Sequence, residues 1–328
     1  MSSFSKIGRR TFLAGAAAAL SAGASQTDAA GVWDDVPIID AHIHLFDGTR
    51  PQGAPYVGSP AYAAISKVSL PSGYRPLARP AGIVGAVVVE TSPWIEDNLW
   101  LLETAQSDPM IVAVSGYLDP FKADFGEYLD RFRKNRLYRA IRYSRFYTDD
   151  GGRIALAPAA IDNMRRLAAA DLALDTANPS MGLLRANALL AEAVPDLRVI
   201  VDHLPSFDPT PDNQAAYDAV IRDLAALPNV FVKLSQVYHR RRDHQIITEF
   251  AQLRERLDNL FAAFGEDRLM FGSDYPNSYG TATIAETVAL MRRFYAGKSR
   301  TAAEKYFWRN AARVYKWTRR APDQPMPG

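Results

Sequence analysis

Val36-Pro37-Ile38-Ile39-Asp40-Ala41-His42-Ile43-His44 is an apolar run that gives way to two histidines one residue apart. A β-strand repeats every two residues, so both imidazoles project from the same face at one strand end. An open sheet built to hold a dinucleotide carries a glycine-rich phosphate turn after its first strand. Here two imidazoles stand in that place, and imidazole is the side chain of proton transfer and metal binding. Two further reactive residues recur in the same setting: His203 closes Arg198-Val199-Ile200-Val201-Asp202, and Asp274 closes Leu269-Met270-Phe271-Gly272-Ser273.

Working outward, strand-like runs fall at 38–44, 83–90, 111–118, 139–143, 172–176, 199–203, 230–234 and 269–272. Between most of them lie stretches of helical spacing at 96–106, 125–134, 158–170, 181–194, 213–227 and 248–264, with closing helices at 282–295 and 301–318. Strands alternating with helices pair in parallel through right-handed crossovers, and eight such units close a (β/α)8 barrel of the TIM type. Catalytic groups of such barrels sit at the carboxyl ends of the strands. His42, His44, His203 and Asp274, scattered over more than two hundred positions, are therefore predicted to meet on one rim. The alternation breaks at 47–80, rich in Pro, Gly, Ser and Tyr; a connection that long is predicted to be a functional loop over the rim, with Tyr56, Tyr62 and Tyr74 to order it as a lid.

The chain has 328 residues, 48% of them hydrophobic, and a formal net charge of +2, which gives no electrostatic reason to expect nucleic-acid binding. Lys6-Ile7-Gly8-Arg9-Arg10-Thr11-Phe12-Leu13, followed by an Ala-rich run and small residues, reads as a twin-arginine export signal over 1–30. The expected mature domain is 31–328, periplasmic or secreted, with no membrane association once the signal is removed. The absence of cysteine excludes disulfides, thiolate metal sites and a cysteine nucleophile.

Neutral imidazoles polarise a carbonyl by hydrogen bonding or bind a divalent ion, and a carboxylate takes a proton from water. Asp274, in Gly272-Ser273-Asp274-Tyr275-Pro276, is assigned as general base, with His42, His44 and His203 at the carbonyl oxygen. Arg142 and Arg145 flank Tyr143 at the fourth strand end, and a guanidinium there suits a carboxylate or lactone oxygen. Tyr143 and Tyr275 are expected beside the substrate, a small carboxylated or hydroxylated molecule. Lys233 and Asp175, at the seventh and fifth strand ends, are either further substrate contacts or polar groups of the barrel interior. His239 and His244, among Arg240, Arg241, Arg242 and Asp243, read as solvated.

The order of Ile38-Ile39-Asp40-Ala41-His42-Ile43-His44-Leu45-Phe46-Asp47, Gly116-Tyr117-Leu118-Asp119-Pro120, Ala140-Ile141-Arg142-Tyr143, Val201-Asp202-His203-Leu204-Pro205, Val232-Lys233-Leu234-Ser235 and Arg268 to Pro276 resembles the amidohydrolase superfamily. Within it the pattern is similar to the amidohydrolase-related lactonases, the branch of fuconolactonase and 2-pyrone-4,6-dicarboxylate lactonase. The resemblance implies a distorted barrel, with His42, His44, His203 and Asp274 as its functional set, and hydrolysis of a lactone. Metal-loaded members usually add a histidine at the fifth strand end and, in binuclear cases, a lysine or glutamate at the fourth. Asp175 and Arg142 stand there instead, so a bridged two-metal site is not expected. The reading taken is a site that requires no cofactor; the alternative is one zinc ion on His42, His44 and Asp274. Two other functions stay open at this point: a metal-dependent decarboxylase of an aromatic or unsaturated acid, and a non-catalytic periplasmic binding protein.

Overall fold

The apolar runs fold into eight barrel strands, β1 (Ile38–Ile43), β2 (Ile83–Val89), β3 (Ile111–Gly116), β4 (Tyr138–Arg142), β5 (Ala173–Thr176), β6 (Val199–Val201), β7 (Val230–Leu234) and β8 (Leu269–Phe271). They come from a computed structural model that describes residues 32–55, 66–241 and 243–327. The strands hydrogen-bond in chain order, each parallel to the next. The ring closes where β8 runs back to β1: Ile43 bridges Tyr275, the His44 amide donates to the Tyr275 carbonyl at 2.7 Å, and the Asp274 amide donates to the His42 carbonyl at 2.8 Å. This is the (β/α)8 barrel read from the sequence.

Both faces of a barrel strand are covered, which is why Ile83–Val89 and Ile111–Gly116 read as continuous apolar runs rather than alternating ones. Helices Asp97–Ser107, Phe125–Phe132, Pro158–Ala169, Met181–Ala193, Gln214–Ala226 and Phe250–Phe264 follow β2 to β7 and bury their apolar stripes against the outside of the sheet. Their starts are set locally. The Ser180 hydroxyl accepts from the Leu183 amide, and Thr283 with Glu286 forms a capping box that opens helix Ile284–Tyr295.

Three segments depart from the sequence reading. The stretch expected as one helix over 301–318 is a short helix Arg300–Glu304, a π-helical turn Lys305–Arg309 and a helix Asn310–Tyr315. The turn carries Tyr306, which stacks on Tyr295 at 4.3 Å, so packing and not propensity sets the break. Inside 47–80, residues Phe46–Asp47 pair with Val68–Ser69, and Pro71 opens a helix, Pro71–Ala78. Tyr74 is buried within that helix and is no part of a lid; Tyr56, Tyr62 and the expected export signal over 1–30 lie outside the described residues. A hairpin, Tyr147–Asp150 with Arg153–Leu156, turns on Gly151 and Gly152, both at positive φ. Among the described residues no helix is long and apolar enough to cross a membrane.

Candidate active site

His42 lies near the end of β1, His44 just beyond it, His203 two residues past β6 and Asp274 three past β8. All four are buried, and their functional atoms converge. The Nε2 atoms of His42 and His44 are 3.2 Å apart, and Asp274 Oδ1 lies 3.2 Å from Nε2 of His44, 3.6 Å from that of His42 and 3.9 Å from that of His203. His203 and Asp274 both sit in left-handed backbone, φ 56° and 57°, which turns each side chain off its strand line and onto the barrel axis. Gly272 permits the approach of β8 to β1, since a Cβ there would stand 3.0 Å from His42 Cβ and 3.2 Å from Ser235 Cβ.

The outer ring nitrogens are also engaged. His44 Nδ1 faces the Val89 carbonyl at 2.9 Å; a carbonyl only accepts, so the ring donates there and a neutral His44 presents a bare Nε2 to Asp274. His203 Nδ1 meets the Ser235 hydroxyl at 2.7 Å. His42 Nδ1 lies 3.2 Å from Lys233 Nζ and 3.6 Å from Asp202 Oδ2. Burial holds His42 well below the ordinary imidazole value, and the neighbouring Lys233, His203 and His44 push the same way. Burial lowers His203 too, against the pull of Asp274. Burial pushes the Asp274 carboxyl up, but His203, His44 and His42 around it outweigh that and hold it below the usual carboxylate range.

Asp274 is therefore ionised and His42 and His203 neutral at ordinary pH. Both shifts move protonation to lower pH, so the working form persists as acid is added. We expect His42 and His203 to bring no fall in kcat/KM at 6.5, the unperturbed histidine value, their protonation lowering the rate only below it. An acid limb centred at 6.5 in the pH–rate profile would mean an unshifted histidine controls the rate.

Donor atoms of His42, His203 and Asp274 all lie within 4.8 Å of one another, a grouping suited to a metal ion. Tetrahedral zinc, at about 2.0–2.1 Å from nitrogen and oxygen ligands, spaces those ligands by roughly 3.3 Å. The triangle of His42, His44 and Asp274, with sides of 3.2, 3.2 and 3.6 Å, fits that spacing. The residues present thus fit a divalent ion, and the balance moves from the cofactor-free reading to the zinc alternative, with His203 added to the trio read from the sequence.

The other predicted contacts divide. Arg142 reaches the rim, where its Nε donates to Glu90 Oε1 at 2.7 Å and its Nη2 to the Glu90 carbonyl. Tyr143 stands beside Tyr117 and Phe121 in an aromatic group, and Arg145 is exposed next to it. Tyr275 is half-buried against Tyr74. Lys233 and Asp175 are fully buried and pair with each other beside His42, with Lys233 Nζ 2.7 Å from Asp175 Oδ1, 2.9 Å from Asp202 Oδ1 and 3.2 Å from His42 Nδ1. His244 is exposed as expected, whereas His239 is buried, its Nε2 3.1 Å from Asp208. Gln236 was not anticipated: it too sits in left-handed backbone, and its Nε2 donates to Asp274 Oδ2 at 2.6 Å, fixing the carboxylate's second oxygen.

Known proteins resemble this chain over most of its length. An L-fucono-1,5-lactonase of Burkholderia ambifaria is 29% identical over 298 residues, spanning 87% of this chain and 98% of that one. The L-fucono-1,5-lactonase of Burkholderia multivorans is 27% identical over 295 residues, 84% of this chain and 95% of that one. Among solved structures, an amidohydrolase of Burkholderia multivorans with bound zinc superposes with a TM-score of 0.72 at 23% identity, covering 86% of this chain and 99% of that one. The amidohydrolase family model matches residues 39–317, from the start of β1 past the last helix, and with the four rim groups inside that span the chain belongs to the amidohydrolase family.

Proposed function

We propose that the protein opens a lactone, or a related cyclic ester, of a small sugar acid or aromatic acid by attack of water on the ring carbonyl. The observation that carries this reading is the convergence of three imidazole Nε2 atoms on Asp274 Oδ1 within 3.9 Å. The names of the lactonase relatives supply the substrate class.

Asp274, ionised and steadied by Gln236, takes a proton from the attacking water, and positioned general bases of this kind contribute about 10²–10⁴ in rate. The Nε2 atoms of His42, His44 and His203 ring the point where negative charge develops; His44, its proton held on Nδ1 by the Val89 carbonyl, offers a lone pair there, the donor of a metal ligand rather than of a hydrogen bond. A divalent ion, zinc by the donor set and by the zinc-bound neighbour, would be held by His42, His203 and Asp274 with His44 beside them, and supplies Lewis-acid polarisation of the carbonyl. Arg142, Tyr143, Arg145 and Tyr275 are assigned to orient the substrate from the rim.

The test is proton release from a panel of sugar and aromatic lactones, L-fucono-1,5-lactone among them, with protein as purified, after chelation and after zinc is restored. We expect turnover above spontaneous hydrolysis that drops at least about tenfold on chelation and returns with zinc. No turnover of any lactone, or carbon dioxide released from an aromatic acid, contradicts the reading.

A further inference from the structure

The seam where β8 meets β1 is held by one bridge, Ile43 with Tyr275, whereas every other neighbouring pair of barrel strands shares a run of paired residues. The side chain of Asp40 supplies what the seam lacks. Its Oδ1 accepts the Ser273 amide at 2.8 Å and the His42 amide at 3.1 Å, and its Oδ2 accepts the Tyr74 hydroxyl at 2.8 Å. Asp40 and Tyr74 are both fully buried. A carboxylate thus stands where a strand carbonyl would, and it reaches both sides of the seam.

The residues it grips are those next to the reaction centre. The His42 peptide is pinned twice, its amide to Asp40 and its carbonyl to the Asp274 amide. Ser273, on the other bank, is the residue before Asp274. The connector that carries Tyr74 holds the same seam: the Ser69 hydroxyl donates to the His44 carbonyl at 2.8 Å, and the Tyr74 ring lies 5.2 Å from that of Tyr275. We propose that Asp40, held by Tyr74, is a positioning residue that ties β1 to β8 and so sets the separation of His42 and His44 from Asp274. The proposal rests on the reading of those side chains as the reaction centre, and it makes the connector after β1 a support of the site.

The test uses the full chain supplied with zinc and carrying Tyr74→Phe, which removes one oxygen and keeps the packed ring, with Asp40→Asn and Asp40→Ala beside it. Readouts are the thermal midpoint, kcat and KM on a turned-over lactone, and the ring-nitrogen NMR resonances of the five histidines. For Tyr74→Phe we expect kcat down about tenfold with KM within about twofold, the scale of lost supporting hydrogen bonds around metal ligands. The resonances of His42 and His44 move, while those of His239 and His244 stay. Asp40→Asn, which keeps an acceptor for the two amides, retains more kcat than Asp40→Ala; if Asp40→Ala does not fold, Tyr74→Phe decides alone. A lowered midpoint with kcat and the His42 and His44 resonances unchanged overturns the proposal, because a purely structural brace gives that pattern. If the wild-type chain opens no lactone, the proposed function fails, and the imidazole resonances of Tyr74→Phe still decide the brace.

Discussion

Asp274→Asn is expected to lower kcat by about 10²–10⁴, the contribution of a positioned general base, while KM changes by no more than a few-fold. The substitution keeps shape and leaves the backbone bonds of the rim in place, including the Asp274 amide to the His42 carbonyl. What it removes is the negative charge at the centre of three imidazoles, and with it the acceptor for a water proton. Its effect on binding is small because Arg142 and the aromatic group on the opposite rim are untouched. Circular dichroism should match the wild type. Turnover within about tenfold of wild type would assign the base to another residue.

Lys233→Met should have the largest effect on stability. Lys233 lies between Asp175 and Asp202, all three fully buried, and Tyr315 donates to the same Asp175 oxygen. Asp175 is pushed up to about 6, with burial the largest cause, Lys233 opposing it and the charge of Asp202 adding to it. Breaking a buried pair by removing one partner costs about 3–5 kcal/mol, because the remaining charge is stranded away from water. For a domain of this size the thermal midpoint should fall by on the order of 10 °C. The sign with pH is fixed: acid protonates Asp175 and removes its stranded charge, so the loss is smaller at pH 5 than at pH 8. A change under about 1 kcal/mol at pH 8 would show that the two carboxylates are satisfied without Lys233.

The barrel was legible because its signal is periodic and local. Apolar runs such as Ile83–Val89, each followed by a helical stretch, leave few topologies once parallel pairing and right-handed crossovers apply. His42, His44, His203 and Asp274 were legible for the same reason, since each closes such a run. Other parts depend on contacts between distant segments. Lys233 and Asp175 occupy strand positions that suit a substrate or an interior ion pair equally; only the packing of β5 against β6 and β7 decides for the pair. His239 sits beside a run of arginines and reads as solvated, yet Asp208, thirty-one positions earlier, draws it inward. Gln236 has no motif, and its left-handed turn is visible only in the backbone. Asp40 was visible within the first strand, but its partners Ser273 and Tyr74 are apart from it in sequence, and the helix carrying Tyr74 was masked by Pro71, Gly73 and Pro76.

The central claim is that the converging side chains at the mouth of this barrel direct water onto an ester carbonyl. It is tested most directly by running L-fucono-1,5-lactone and the wider lactone panel in water enriched in oxygen-18 and weighing the product. The account predicts enzyme-dependent gain of one labelled oxygen, located in the new carboxylate, at a rate that Asp274→Asn lowers by about 10²–10⁴. Product formed without the label, or label entering at a rate equal to that in buffer alone, would contradict it.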